Sequence, residues 1–185
     1  MTRQSHPDRL CKYLRVFGRR ALPDFDARLL AYAEHADREV RCLANRALSR
    51  VAHPQVRRLA VERLSAGKVS EDELGLLRSN YELGDAALIE PLLRAPEDTD
   101  ELHALTLDLV GLFEAHTVAE SASAMAFVYE ESPCSNCRSR AAGVLADSGQ
   151  LAPWLREECR DDCSEATRAL VMAAGSSSPA TETRR

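Results

Sequence analysis

Residues 37–64 read DREVRCLANRALSRVAHPQVRRLAVERL. In the first half, Val40, Leu43, Ala44, Ala47, Leu48 and Val51 recur at the three- and four-residue spacing that gathers apolar side chains on one helix face. His53-Pro54 interrupts the run, because proline lacks the N–H of an interior helical residue but suits a first turn. The second half resumes with Val56, Leu59, Ala60 and Leu64. A shift of 16 residues lays Val40-Arg41 on Val56-Arg57, Ala44 on Ala60 and Leu48 on Leu64. Two successive helices, each apolar on one face and joined by a short turn, cannot bury those faces alone. They must stack on neighbours.

Working outward, a chain of 185 residues with 45% hydrophobic side chains can build a substantial core. Only 5% aromatic residues and 8 glycines argue against a β-sandwich or barrel. No apolar run approaches the roughly 20 residues of a membrane span. The opening MTRQSHPDRLCKYL has no apolar signal core, so the expected location is the cytoplasm, with no membrane partner. The net charge of −5 conceals an asymmetry: residues 1–70 sum to +8 and residues 71–131 to −13. Such a polarity suits either complementary neighbouring faces or the steering of a charged partner.

Further helices are predicted on both sides. Pro7 opens one that uses Leu10, Tyr13, Leu14 and Phe17 and stops at Gly18, and Pro23 opens the next, with Leu29, Leu30 and Tyr32. Asp37 is a good N-cap. The pair described above runs to about Val51 and, after Pro54, to Ala66, with Gly67 as the stop. Ser70-Glu71-Asp72-Glu73 combines a cap with first-turn acids for a helix reaching Tyr81, and a short helix ends at Leu93. Leu102, Leu105, Leu109, Leu112 and Phe113 mark another, followed by one from about Val118 to Glu130. SPCSNCRSRAAGVLADSG, a short helix from Pro153, and Ser164–Ala174 complete about eleven helices. Residues 1–174 are read as a single domain and 175–185 (GSSSPATETRR) as a disordered tail. Two- to five-residue turns make an α-solenoid the economical all-α architecture.

The frame recurs at long range. Cys137-Arg138, Ala141, Val144 and Leu145 fall 97 residues after Val40-Arg41, Ala44, Ala47 and Leu48, and Thr167-Arg168 with Val171 begins it again. A polar or proline-containing turn, then an apolar residue followed by Arg, then small apolar residues, resembles HEAT-like repeats of the short kind found in phycobilin lyases. The resemblance is good over 37–64, fair over 134–174 and poor between. It implies a right-handed superhelix of stacked helical hairpins, and a protein that binds other proteins. A minority of such domains bind nucleic acid, and one branch repairs alkylated DNA bases. Trp154 is the single Trp, so the aromatic groove that such repair requires has little to draw on.

Two constellations are candidate sites. Arg38, Arg41, Arg46, Arg50, Arg57 and Arg58 would place guanidinium groups on one surface, suited to carboxylates or phosphates. On a helical wheel Arg41, Arg50 and Arg57 flank the core while Arg38, Arg46 and Arg58 point away, and Arg63 lies near the apolar sector with its head reaching for water. The alternative for the Val-Arg positions is structural, bracing neighbouring repeats through acids or helix carbonyls. Nucleic-acid binding by residues 38–63 is disfavoured by the sequence pI of about 5.6 and by the lack of an aromatic residue there.

The second constellation is Cys134-x-x-Cys137 with Cys159-x-x-x-Cys163. An antiparallel hairpin can bring the start of one helix near the end of the next, and four thiolates would suit a structural Zn²⁺. Against this, the first helix exceeds its partner by four or five residues, and Cys137 occupies the Val40 position, where a small buried hydrophobe belongs. A redox pair at a helix start and ordinary thiols are the other readings. Cys42 projects outward and Cys11 lies at a flank. No phosphate loop, zinc-protease helix or nucleophile elbow is present. The expected function is a non-catalytic protein–protein interaction module that needs no cofactor, with another protein as partner; nucleic-acid binding through residues 38–63 is the alternative.

Overall fold

The computed structural model describes residues 7–17, 20, 24–67 and 73–175. The predicted stop at Gly18, the opener Pro23, the cap at Ser70–Asp72 and the tail after 175 lie outside the described residues. All regular elements among the described residues are helical. The chain divides into two compact units, Met1–Leu92 and Leu93–Arg185, with the boundary inside the stretch where the repeat frame fades.

The first unit holds α1 (Pro7–Phe17), α2 (Arg28–Tyr32), α3 (Arg38–Leu48), α4 (Pro54–Ser65), α5 (Glu73–Leu77) and α6 (Ala86–Ile89), the last continued by a 3₁₀ turn, Glu90–Leu92. Helix α3 starts at Asp37 because that carboxylate accepts from the N–H groups of Glu39 (2.9 Å) and Val40 (3.2 Å), two of the donors a helix start leaves open. At α4 the Nδ1 of His53 accepts from the Gln55 N–H at 3.2 Å, with Pro54 in the first turn. Gly67 then takes φ 64°, a conformation that glycine adopts without steric cost. The predicted apolar stripe is the one buried: Val40, Ala44, Leu48, Val56 and Ala60 are each 0% exposed. Helix α3 packs on α1, α2 and α5, and α4 packs on α5 and α6.

Arg63 departs from the expectation of a head group in water. It is buried between α4 and its neighbours, donating to the Ala33 carbonyl (2.7 Å), Glu34 (2.6 Å), Asn45 (3.2 Å) and the buried Glu73 (3.5 Å). Its apolar-sector position on α4 aims the guanidinium inward, where carboxylates and carbonyls replace water. The helix predicted to reach Tyr81 ends at Leu77. Asn80 explains the turn, because its buried amide accepts from the His53 N–H (2.8 Å) and donates to the Val51 (2.9 Å) and Leu76 (3.0 Å) carbonyls. Cys11, expected at a flank, is buried.

The second unit holds α7 (Thr99–Ala115), a 3₁₀ turn (Ala119–Ser121), α8 (Ala122–Glu131), α9 (Ser135–Asp147), α10 (Pro153–Arg160) and α11 (Glu165–Gly175). Asp98 caps α7 through the N–H groups of Asp100 and Glu101, both at 2.9 Å. Gly149, at φ 71°, closes α9 with the Gln150 N–H on the Leu145 carbonyl at 2.8 Å. Helices α7, α8 and α9 pack on one another, and α11 packs on α9 and α10. In both units each helix therefore meets partners one or two places along the chain.

Candidate functional site

The four frame positions behave alike. Val40, Val56, Cys137 and Thr167 are at most 1% exposed, so each is the buried anchor of its first turn. The arginine that follows is a brace in three cases. Arg41 donates to the carbonyls of His35 and Ala36, both at 2.8 Å. Arg168 does the same with Asp162 (2.6 Å) and Cys163 (3.1 Å), again six and five residues upstream. Arg57 spans to Asp85 and the Asn80 carbonyl, and the Asp85 carboxylate holds its guanidinium above the usual range. Arg138 differs, with a buried Nε that has no hydrogen-bond partner among the described residues.

Of the six arginines expected to meet a partner, Arg41 and Arg57 are thus committed within the unit. Arg38, Arg46, Arg50 and Arg58 are exposed. Arg58 meets only the equally exposed Glu62, at 3.8 Å, a contact of little energetic consequence. Among the described residues Arg46 makes no ion pair, and it lines an open groove of about 900 Å³ with Arg15, Arg20, Val16, Leu43 and Cys42. Arg15 is paired with Glu39 across this groove. Sequence reasoning missed Arg15 and Arg20, which lie outside the repeated stretch and reach the groove only because α1 packs on α3. Met1–Leu92 carries 16 basic and 13 acidic side chains, whereas Leu93–Arg185 carries 8 and 16.

In the second unit the four expected thiols do not gather. Cys134 and Cys137 instead meet His103 of α7, and one ligand atom from each of the three lies within 4.8 Å of the others. Cys159 is buried against Tyr129, its Sγ donating to the hydroxyl at 3.8 Å, and Cys163 is exposed. Helix lengths account for part of this: α9 has 13 residues and α10 has 8. Five residues amount to about 7.5 Å of helix, too much for Cys159 to make up.

The local electrostatics separate the two thiols. Cys134 occupies the N-cap of α9, where the backbone N–H of Cys137, then that of Asn136 and the Cys137 thiol, hold it below the usual thiol range. Burial pushes Cys137 up. Arg140, fixed on Glu114 by two bonds of 2.7 and 2.6 Å, favours the thiolate form at both.

A buried hydroxyl chain ties the His103 helix to the cysteine turn. The Thr106 hydroxyl donates to the His103 carbonyl at 3.0 Å, a common arrangement for Thr within a helix. That hydroxyl lies 3.2 Å from the Ser132 Oγ, which accepts from the Cys134 N–H at 3.3 Å. Thr106 is 0% exposed and Ser132 4%. The Ser132 side chain also bonds to Cys137, where it favours the thiolate form. Sequence reasoning did not connect His103, 31 residues upstream of Cys134, with the Cys-x-x-Cys turn.

No protein-family model, curated protein or solved structure matches the chain. No helix among the described residues is long and apolar enough to cross a membrane. Among the described residues, fold and geometry define an all-helical architecture with an arginine-rich groove in the first unit and a His–Cys–Cys cluster in the second.

Proposed function

We propose that this protein is a non-catalytic, HEAT-like protein-interaction module whose first-unit groove accepts an acidic segment of a partner protein in the cytoplasm. The observation that carries the reading is the contrast among arginines. Arg41, Arg57 and Arg63 are used up by internal carbonyls and carboxylates, while Arg20 and Arg46 face a groove with the half-exposed Val16 beside them. A carboxylate-bearing strand with an apolar anchor complements that lining. The main packing partners of each helix lie one or two places along the chain, and with the repeated anchor-and-brace turn this supports the solenoid reading of the helices.

The test compares affinity capture from native cells by the unaltered chain and by Arg46→Glu. Arg46 is exposed, so the variant should keep its helical circular dichroism and lose the captured partner. An unchanged set of captured proteins would remove the groove from consideration. Retention of duplex DNA or RNA at about 0.1 M salt, where charges are screened beyond about 10 Å, would favour phosphate recognition instead.

A further inference from the structure

We propose that His103, Cys134 and Cys137 bind one Zn²⁺, with the fourth coordination position open to solvent. Zinc takes thiolate sulfur at about 2.3 Å and imidazole nitrogen at about 2.0–2.1 Å, so tetrahedral geometry sets neighbouring ligand atoms roughly 3.4–3.8 Å apart. The three donors already lie within 4.8 Å of one another, and a contraction of about an ångström completes the site. His103 is exposed and Cys134 half-buried, so both can move by that amount and the ion has an entry path.

Several features set this cluster apart from two thiols at a helix start. The imidazole comes from a different helix, which a Cys134–Cys137 disulfide would not require. The Thr106–Ser132 hydroxyl chain fixes α7 against the cysteine turn, so the separation of the donors is built into buried structure. Two thiolates and one Zn²⁺ sum to zero charge, and the neighbouring Arg140 is already balanced by Glu114. Binding releases the two thiol protons to solvent and leaves all oxidation states unchanged. The exposed imidazole and an open coordination site suit a solvent-facing metal, not one sealed by four protein ligands.

The experiment adds Co²⁺, then Zn²⁺, to the reduced full-length chain and follows the visible ligand-field and thiolate-to-cobalt charge-transfer bands. One equivalent of Co²⁺ should produce bands that Zn²⁺ abolishes. Loss of a mere supporting hydrogen bond to a metal ligand costs about 10–100-fold in affinity, so His103→Ala and Cys134→Ser should each weaken binding at least roughly tenfold. Both positions are outside the core, and circular dichroism checks that the variants fold. Cys163→Ser should bind as the unaltered chain does. Absence of bands at saturating Co²⁺ overturns the proposal, as does binding that is indifferent to His103→Ala or lost equally in Cys163→Ser.

Discussion

Arg57 grips Asp85 with both terminal nitrogens, at 2.5 and 3.0 Å, joining α4 to the start of α6. Asp85 also accepts from the Glu82 N–H at 2.8 Å, so one buried carboxylate organises the whole turn. Asp85→Ala leaves Arg57, 24% exposed, with only Glu82 and the Asn80 carbonyl, each at 3.0 Å, which moderates the cost to about 2 kcal/mol against the 3–5 of a fully buried pair. Urea denaturation of the variant checks this, and a loss under about 1 kcal/mol would show that the pair contributes no more than a surface contact does.

Arg63 and Glu73 are buried at 3.5 Å with Asn45 beside them. Arg63→Met keeps the volume but removes the guanidinium that Glu34, Glu73, Asn45 and the Ala33 carbonyl share, and should cost about 3–4 kcal/mol. The double variant Arg63→Met with Glu73→Leu removes both charges and should recover at least half of that loss, because apolar packing can replace a buried pair. Equal instability of the single and double variants would contradict this account.

The buried thiols and phenol make the fold sensitive to alkali. Burial, then the Cys159 thiol, raises Tyr129 above its usual value of 10.0, and burial raises Cys137 and Cys159 above 9.0. A folded-state pKa above the unfolded one gives stability that is complete below the unfolded value and drains away at higher pH. The Tm should therefore decline as pH climbs past about 9, where the unfolded thiols begin to ionise. Tyr129→Phe should melt lower at pH 8, having lost its contacts with Cys159 and Asp162, and show a shallower decline above pH 10. An identical alkaline slope in that variant would rule out a Tyr129 contribution.

Cys134 and Cys137 should differ in reactivity. The thiolate displaces iodide from iodoacetamide, and the α9 amides favour that form at Cys134, while burial disfavours it at Cys137. Peptide mapping after brief labelling at pH 7 should find Cys134 modified well ahead of Cys137 and Cys159. Comparable labelling of Cys137 would mean that its burial is not maintained in solution.

The helices were legible wherever local chemistry decides. Asp37, His53-Pro54 and Gly149 mark boundaries through bonds closed within a few residues, and the 16-residue repeat identified the buried face of both α3 and α4. Residues 78–81 were misread as helix because Asn80 takes its partners from the turn before α4, 27 to 29 residues upstream. Wheel geometry separated exposed Arg38, Arg46 and Arg58 from the flanking Arg41 and Arg57, but it misplaced Arg50, which is exposed because α3 ends at Leu48, and could not supply Arg63 with Glu34, Asn45 and Glu73. The cysteine cluster was half legible. The Cys-x-x-Cys spacing stood out, while His103 is 31 residues before Cys134 and reaches it only through the packing of α7 on α9.

The arginine clamps at Arg41 and Arg168 close over carbonyls just five and six positions upstream. Loops that short form in well under a microsecond, with almost no entropy spent on bringing distant segments together. Each clamp consequently fastens the entry to its helix with bonds that ask nothing of more distant parts of the chain.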